Sequence, residues 1–265
     1  MVKRPLQNIL LFIYRLVKVT GLMGWEPVRR VFEWAYFVYK RYLEAPELRL
    51  LQLYVPPGSC VIDVGANIGF FSVMSAKWVT KFGLVLSIEP APENLIRLRK
   101  RVQNLGIEDW VKIIPAVAAD RVGLRNIIIN PNHPGDHRLG DSGEQVAAET
   151  LDHLADIHSN FTVSLVKVDV QGAEEIVLRG GEQLLSRDHP ALMIEVDDLH
   201  LRAFGSSALK LTDYLASQGY APYLVGSEKA KPIDMVELVS SSGSNYSDVL
   251  FLWADFQNVD GVNAC

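Results

Sequence analysis

The sequence lacks the features that mark secreted and membrane-spanning proteins. Two cysteines in 265 residues give no disulfide framework, so a reducing, cytoplasmic compartment fits best. The longest uninterrupted apolar run covers only residues 9–14, far short of the about 20 residues that span a bilayer. No small-residue cleavage site accompanies it, which argues against a signal peptide. Internal repeats and low-complexity tracts are absent as well.

Positive charge is scarce outside the first fifty residues. The net charge is −5, but residues 1–50 carry nine lysines and arginines against four glutamates, a balance of +5. The remaining residues therefore carry −10. Such an acidic body argues against nucleic acid as a substrate, because phosphate contacts need a basic track.

The basic N-terminal segment has the periodicity of amphipathic helices. Leu6, Leu10, Ile13 and Val17 fall on one helical face, and an aromatic-rich helical pattern follows. We expect residues 1–55 to form a helical cap on a main domain at residues 56–265, because Pro-Pro-Gly marks the boundary. The alternative is a helix that lies in a membrane interface, at the inner membrane surface.

Beyond this boundary, predicted strands and helices alternate. Apolar runs predict strands at 61–64, 84–88, 111–115, 163–168 and 191–196, with closing strands at 221–225 and 249–253. Helical spacing predicts helices at 70–81, 92–104, 151–157, 174–185 and 209–218. Residues 124–129 could form a further strand, whereas the turn-rich stretch 130–143 is expected to be a long loop. The alternation predicts a mostly parallel, doubly wound α/β sheet.

Two short segments carry the strongest functional signal. VIDVGANIGFFS at 61–72 combines a buried strand, a glycine turn and a helix start, which places backbone N–H groups at the carboxyl edge of the sheet. In SIEPAPENL at 87–95, Glu89 ends the next strand, where a carboxylate can bind the hydroxyls of a ribose. The turn reads GANIG rather than GxGxxG, so the dinucleotide fingerprint is absent. Asp63 at the first strand's end would repel a pyrophosphate but hold a cationic ligand.

Together with VKVDVQGAEEIVLRGG at 166–181, these segments resemble the FkbM-type S-adenosylmethionine-dependent methyltransferases over about residues 58–251. The resemblance implies a Rossmann-like class I methyltransferase fold with an antiparallel edge strand, and S-adenosyl-L-methionine as cofactor. It also implies that residues 116–120 flank the adenine, although Asp120 is equally well interpreted as a solvated turn residue. The expected cofactor contacts are Asp63, Gly65, Ala66, Asn67, Gly69, Glu89, Pro90, Val117, Ala118 and Asp169.

Acidic residues follow the fourth and fifth strands, at the edge where open α/β sheets bind ligands. Asp169 should face the sulfonium or the substrate, and Glu195 is a second candidate catalytic carboxylate. Glu174 is either an acid near the site or a charge favoured by the helix dipole. Lys167, inside a buried strand, is expected to be paired or snorkelling rather than catalytic.

A metal site at this edge is the less favoured interpretation. Asp169 with Asp197 or Asp198 would offer the oxygen ligands that magnesium prefers. The match to magnesium-dependent methyltransferases is loose, and we expect no metal.

The catalytic base is expected among the histidines, because a neutral imidazole can accept a hydroxyl proton near physiological pH. His133 and His137 fall in the turn-rich loop, and His200 follows the fifth strand. The segment GDHR at 135–138 is similar to an element of one FkbM branch, which implies His137 as base and Arg138 as clamp for an acidic substrate. The alternative is a loop tied down by its own hydrogen bonds. Candidate catalytic residues are therefore His137, Asp169 and Glu195, and candidate substrate contacts are Arg138, Glu174 and His200.

The leading interpretation is an O-methyltransferase acting on a hydroxyl or carboxyl of a small molecule. A sugar, a glycolipid or lipid-linked compound, a specialised natural-product metabolite or a peptide could be the acceptor, and the enzyme could be a homodimer. One alternative, an NAD-dependent oxidoreductase, requires the GxGxxG turn that is missing. The other, an inactive binding module, is disfavoured because the strand-end acids and turn glycines are retained together.

Overall fold

Strands and helices alternate in the computed structural model, which describes residues 27–28, 50–128, 138–140, 142–225, 230–241 and 246–254. The strands are β1 (Cys60–Val64), β2 (Leu84–Ile88), β3 (Val111–Ile114), β4 (Val117–Ala118), β5 (Gly123–Ile128), β6 (Arg138–Gly140), β7 (Glu144–Glu149), β8 (Val163–Val168), β9 (Ala191–Asp197), β10 (Tyr220–Val225), β11 (Ala230–Pro232) and β12 (Tyr246–Trp253). The helices are α1 (Phe70–Val79), α2 (Pro92–Leu105), α3 (Leu151–Ile157), α4 (Glu174–Arg179), α5 (Glu182–Asp188), α6 (Asp198–Ala203), α7 (Ala208–Ser217) and α8 (Met235–Ser241).

The main sheet has eight strands in the order β3-β2-β1-β8-β9-β12-β10-β11. The five strands from β3 to β9 pair in parallel. Strand β12 runs antiparallel between β9 and β10, and β11 forms an antiparallel edge. The predicted mostly parallel, doubly wound α/β sheet with an antiparallel edge strand is confirmed. The strand order reverses between β1 and β8, so the crevice at their carboxyl ends is the expected ligand site.

The sheet is covered on both faces, which explains why its strands are continuous apolar runs. All five residues of β1 are buried. Ile62 and Val64 join the core on one face with Leu184 of α5, while Val61 joins the core on the other face with Phe71 of α1. Alternate side chains of one strand therefore tie together two layers of helices.

A second, four-stranded sheet has the order β4-β7-β5-β6. Strands β6 and β7 were not predicted, and the prediction of a continuous loop over 130–143 is wrong at residues 138–140. The sequence of β7, EQVAAE, is poor in strand-forming residues. Its antiparallel pairing with β5 makes it a strand. Residues 129–137 and 141 lie outside the described part of the chain.

The helix predicted at 174–185 is two helices, because two glycines separate α4 from α5. A Cβ on Gly180 would lie 2.0 Å from the carbonyl oxygen of Ala119, so the chain there packs against the backbone of another segment. The predicted N-terminal cap lies outside the described residues, apart from residues 27–28 and its last few positions. Among the latter, Leu51 and Val55 are buried in the core. None of the described helices has the length and hydropathy of a transmembrane span.

Candidate active site

The glycine turn after β1 is fixed against both neighbouring strands. Gly65 has φ +77°, and a Cβ there would lie 2.0 Å from the carbonyl oxygen of Asp169. The N–H groups of Gly65 and Ala66 both donate to the carbonyl of Ile88 at 3.0 Å. Gly69, at φ +81°, precedes α1, and a Cβ there would collide with the side chain of Leu98. Gly65 is therefore required by a close approach to backbone as well as by its conformation, whereas at Gly69 the positive φ is the stronger reason.

Glu89, the candidate ribose ligand, also holds this turn in place. Its Oε2 accepts the N–H of Asn67 at 2.8 Å, and its Oε1 accepts from the N–H of Ala91 and the side-chain amide of Asn94. The residue is 3% exposed, and burial raises the pKa of its carboxyl group. Because a carboxylate has about four acceptor positions, three bonds leave about one position for a ligand.

Asp63 is fully buried beneath the turn. Ser72 Oγ donates to its Oδ2 at 2.6 Å, and the Nζ atom of Lys167 lies 3.8 Å from its Oδ1. Burial raises the pKa of Asp63, against the opposing effect of the Lys167 ammonium. Among the described residues, Oδ1 has no hydrogen-bond partner. A buried polar atom without a partner is costly, and it calls for a functional reason.

The carboxylate of Asp169, directly after β8, and that of Glu195, near the end of β9, are joined by a side chain that sequence reasoning missed. Gln171 Nε2 donates to Glu195 Oε2 at 2.7 Å and more weakly to Asp169 Oδ1 at 3.4 Å. Lys167 Nζ donates to Asp169 Oδ2 at 3.1 Å, so the prediction that Lys167 is paired is confirmed. The available sequence signal was a polar residue between a strand end and a glycine.

Glu174 and His200, the candidate substrate contacts, lie around the same turn. Glu174 is 1% exposed, and its Oε1 accepts the N–H groups of Val170 and Gly172 at 3.3 and 3.0 Å. Burial raises the pKa of Glu174 to about 7. Glu174 therefore braces the backbone of the turn between β8 and α4. The Nδ1 atom of His200 lies 3.4 Å from Asp197 Oδ2.

The carboxylates proposed as an alternative magnesium site are engaged in capping. Asp197 Oδ1 accepts the N–H groups of Leu199 and His200 at the start of α6. Asp198 accepts from the N–H of Ala208 at 2.8 Å and from Arg202 at 2.6 Å. Within the described ranges, no group of three or more His, Cys, Asp or Glu side chains is arranged to hold a metal ion.

Most of the remaining candidates lie in or next to the second sheet. Val117 and Ala118 are buried in β4 and pair with β7. Asp120 is exposed and forms an ion pair with Arg125 at 3.0 Å. Pro90 follows Glu89 and is partly exposed. His133 and His137 lie outside the described residues, and for Arg138 only the backbone, at the start of β6, is described.

A comparison with known families agrees with this geometry. The model of the methyltransferase FkbM domain matches residues 63–222, more than half of the chain. The chain belongs to the FkbM methyltransferase family. The match runs from the acid at the end of β1 into β10, and so includes the turn, Glu89 and the strand ends after β8 and β9.

Relatives of this FkbM domain include parts of larger proteins. The AMB antimetabolite synthetase AmbE of Pseudomonas aeruginosa is 28% identical over 205 residues, which cover 63% of this chain and 10% of the synthetase. Methyltransferase 1 of Beauveria bassiana is 29% identical over 150 residues, 47% of this chain and 59% of that protein. The crystal structure of the FkbM methyltransferase from Methylobacillus flagellatus matches 74% of this chain and 44% of its own, with 21% identity and a TM-score of 0.47. This FkbM domain thus spans less than two thirds of each.

S-adenosylmethionine is the expected cofactor of this FkbM domain, and the residues at the crevice fit it. The cofactor carries a sulfonium and an ammonium group, and the β1 and β8 strand ends offer the carboxylates of Asp63 and Asp169. The unpartnered Oδ1 of Asp63 is an acceptor that a cation or a bound water would satisfy. The remaining acceptor position of Glu89 suits a ribose hydroxyl.

Proposed function

We propose that this domain is an S-adenosylmethionine-dependent O-methyltransferase acting on a small molecule. The observation that carries the proposal is the chain of charged and polar groups at the carboxyl ends of β1, β8 and β9. Asp63, Asp169 and Glu195 lie along it, with Lys167 and Gln171 between them. This series of side chains connects the part of the crevice beneath the glycine turn with the part where an acceptor would bind.

The proposed reaction is an in-line displacement, in which an acceptor oxygen bonds to the methyl carbon as the carbon–sulfur bond breaks. The bonding pair stays on sulfur, which yields S-adenosylhomocysteine, and the hydroxyl proton passes to a base. The bound cofactor supplies the activated methyl group. The protein then has to align the acceptor and take its proton.

We propose that the turn with Asp63 and Glu89 holds the cofactor, with Ala66, Asn67, Pro90, Val117 and Ala118 as further contacts. Asp169 faces the sulfonium and the acceptor, and Glu195 faces the acceptor. His137 remains the proposed base and Arg138 the proposed clamp. His200 is the second candidate base, supported by the Asp197 carboxylate 3.4 Å from its ring, which can stabilise an imidazolium ion.

The acceptor class is proposed from charge. Two carboxylates at the acceptor side favour a hydroxyl, which can donate to them, over a carboxylate, which they would repel. The likeness to an antimetabolite synthetase supports a specialised metabolite, and a sugar or glycolipid fits the same chemistry. We also propose a cytoplasmic location, because the chain has only two cysteines and Cys60 is buried and unpaired.

The test is a screen of hydroxyl and carboxyl acceptors for S-adenosylhomocysteine release, with mass spectrometry to locate the new methyl group. We expect methylation on oxygen, and turnover that persists in EDTA. A methyl group on nitrogen or carbon would contradict the O-methyltransferase assignment, and turnover restored only by magnesium would make Asp169 and Asp197 candidate ligands.

Calorimetry with S-adenosylhomocysteine tests cofactor binding separately from the choice of acceptor. Glu89→Gln should weaken binding by about 1.5–3 kcal/mol, because an amide nitrogen replaces an acceptor oxygen. The exposed Glu93→Gln on α2 is the matched control and should bind like the parent. Since Glu89 also anchors the turn, the thermal midpoint of each variant shows whether the fold is kept. A parent protein that does not bind S-adenosylhomocysteine would refute the function.

A further inference from the structure

Gln171 has a backbone conformation that its side chain does not favour. Its φ is +56°, in the left-handed region where residues other than glycine are uncommon. Such a residue persists only where its surroundings fix it, and strained positions cluster at functional sites. The strain raises the question of what holds Gln171 there and what its amide does.

The turn that carries Gln171 is clamped from both sides. Below it, the buried Glu174 carboxylate accepts the N–H groups on either side of Gln171, those of Val170 and Gly172. Above it, Gly172 lies against α6, where an added Cβ would be 2.4 Å from the carbonyl oxygen of His200. The turn therefore has little freedom to relax.

The clamped conformation aims the Gln171 amide across the sheet edge. Its Nε2 reaches Glu195 at the end of β9, at 2.7 Å, and also approaches Asp169 at the end of β8, at 3.4 Å. The bond to Glu195 is the stronger one, because it is short and its acceptor is a carboxylate. Two carboxylates at adjacent strand ends repel each other, and a donor placed between them fixes their separation.

We propose that Gln171 is a positioning residue, which sets the Glu195 carboxylate, and with it Asp169, in place for the methyl acceptor. Lys167 does the same for Asp169 from the other side, at 3.1 Å. Gln171 acts through these carboxylates and is not itself a group that reacts. This inference rests on the proposed function, because only an acceptor bound there gives the fixed carboxylates a task.

The hydrogen bond itself can be tested without any acceptor, by NMR of the ¹⁵N-labelled protein. The Gln171 side-chain amide signals, assigned by their loss in Gln171→Asn, should exchange slowly with solvent and shift in Glu195→Gln. The side-chain amide of Gln183, an exposed residue of α5, is the internal reference. Gln171 signals that exchange as fast as those of Gln183, and that do not respond to Glu195→Gln, would refute the proposal.

The positioning role is tested with Gln171→Gly, which removes the amide while relieving the left-handed backbone. We expect kcat on the acceptor found by the screen to fall by about 10–100-fold, because small misplacements of reacting groups have effects of this size. Affinity for S-adenosylhomocysteine should stay within about twofold, because this product lacks the sulfonium charge that Asp169 faces. Gln171→Asn, whose amide is one methylene shorter, should also lose turnover.

Thr80→Gly is the matched control. Thr80 also has a positive φ, +63°, but it ends α1 at the opposite edge of the sheet. Its replacement should leave turnover and binding unchanged while it too replaces a residue of positive φ by glycine. Normal turnover in Gln171→Gly would overturn the positioning role, as would a loss of S-adenosylhomocysteine affinity equal to the loss of turnover. If the parent transfers no methyl group, the proposed function fails, whereas the NMR experiment still decides whether Gln171 sets Glu195.

Discussion

At the residue scale, two adjacent glutamates at the start of α4 have opposite environments. Glu174 points inward, and burial raises its pKa to about 7. Glu175 lies nearer the surface, where hydrogen bonds from Ser206 and Arg179 outweigh the effect of burial and lower its pKa. Two adjacent residues therefore differ in ionisation: the fold favours the protonated form of Glu174 and the charged form of Glu175.

This difference predicts how stability varies with pH. A raised folded-state pKa means that the native protein holds a proton on Glu174 that the unfolded chain releases between about pH 4.5 and 7. The free energy of unfolding should fall over that window, and a shift of this size corresponds to roughly 3 kcal/mol. In Glu174→Gln the loss between pH 5 and 8 should be smaller than in the parent, as measured by urea denaturation.

Glu175→Gln is the control with the opposite sign. Its lowered pKa stabilises the native state above the unfolded pKa, and this contribution is lost as the pH falls. The variant should therefore lose stability at pH 8 and little at pH 3. Equal pH profiles for the parent and Glu174→Gln would show that the Glu174 carboxyl group is not the source of the slope.

At the element scale, the crevice depends on how closely the turn after β1 approaches the end of β8. Gly65→Ala would bring a methyl group 2.0 Å from the Asp169 carbonyl, in addition to the strain of φ +77°. We expect a loss of stability of more than about 3 kcal/mol and loss of S-adenosylhomocysteine binding, because backbone atoms cannot yield as side chains do.

Gly106→Ala measures the cost of the positive φ without the cost of a steric clash. Gly106 ends α2 at φ +62°, and a Cβ there meets nothing within 4 Å. Its cost should be about 1–2 kcal/mol, the strain of a left-handed residue alone, with binding unchanged. Denaturation curves of both variants measure the difference. Equal losses would show that the approach between Gly65 and Asp169 contributes nothing.

At the scale of the whole molecule, the N-terminal segment has two interpretations, a cap on the acceptor side or a helix at a membrane surface. The deletion should end at residue 49, because Leu51 is fully buried in the core and packs with Val61 and Phe71. If residues 1–49 cap the acceptor side, the truncated protein should lose acceptor turnover while keeping S-adenosylhomocysteine affinity. Calorimetry and the release assay measure the two effects.

The alternative for the same segment gives a different result. Normal turnover on a soluble acceptor, with loss of cosedimentation with anionic liposomes, would identify residues 1–49 as an interfacial membrane helix. The basic balance of +5 over the first fifty residues is what makes this outcome conceivable.

The sequence alone determined the main sheet and pointed to its carboxyl edge as the candidate site. Strands β2 and β8 and helix α3 have the bounds that their patterns predict. Strands covered on both faces are mostly apolar, which makes them recognisable in the sequence. The glycines of the turn and Glu89 were found for a similar reason, since local backbone conformation and a strand end constrain which residue is possible there.

Only the tertiary structure decided those features that depend on contacts between residues far apart in the sequence. Gly180 breaks a helix because it packs on Ala119, β7 becomes a strand through pairing with β5, and Gln171 joins two carboxylates that lie 26 positions apart in the chain. For Glu174 the sequence left open an acid near the site or a charge favoured by the helix dipole, and only its burial and hydrogen bonds showed that it braces the turn. Local patterns report on backbone conformation and burial, whereas hydrogen bonds between side chains depend on which segments the fold brings together.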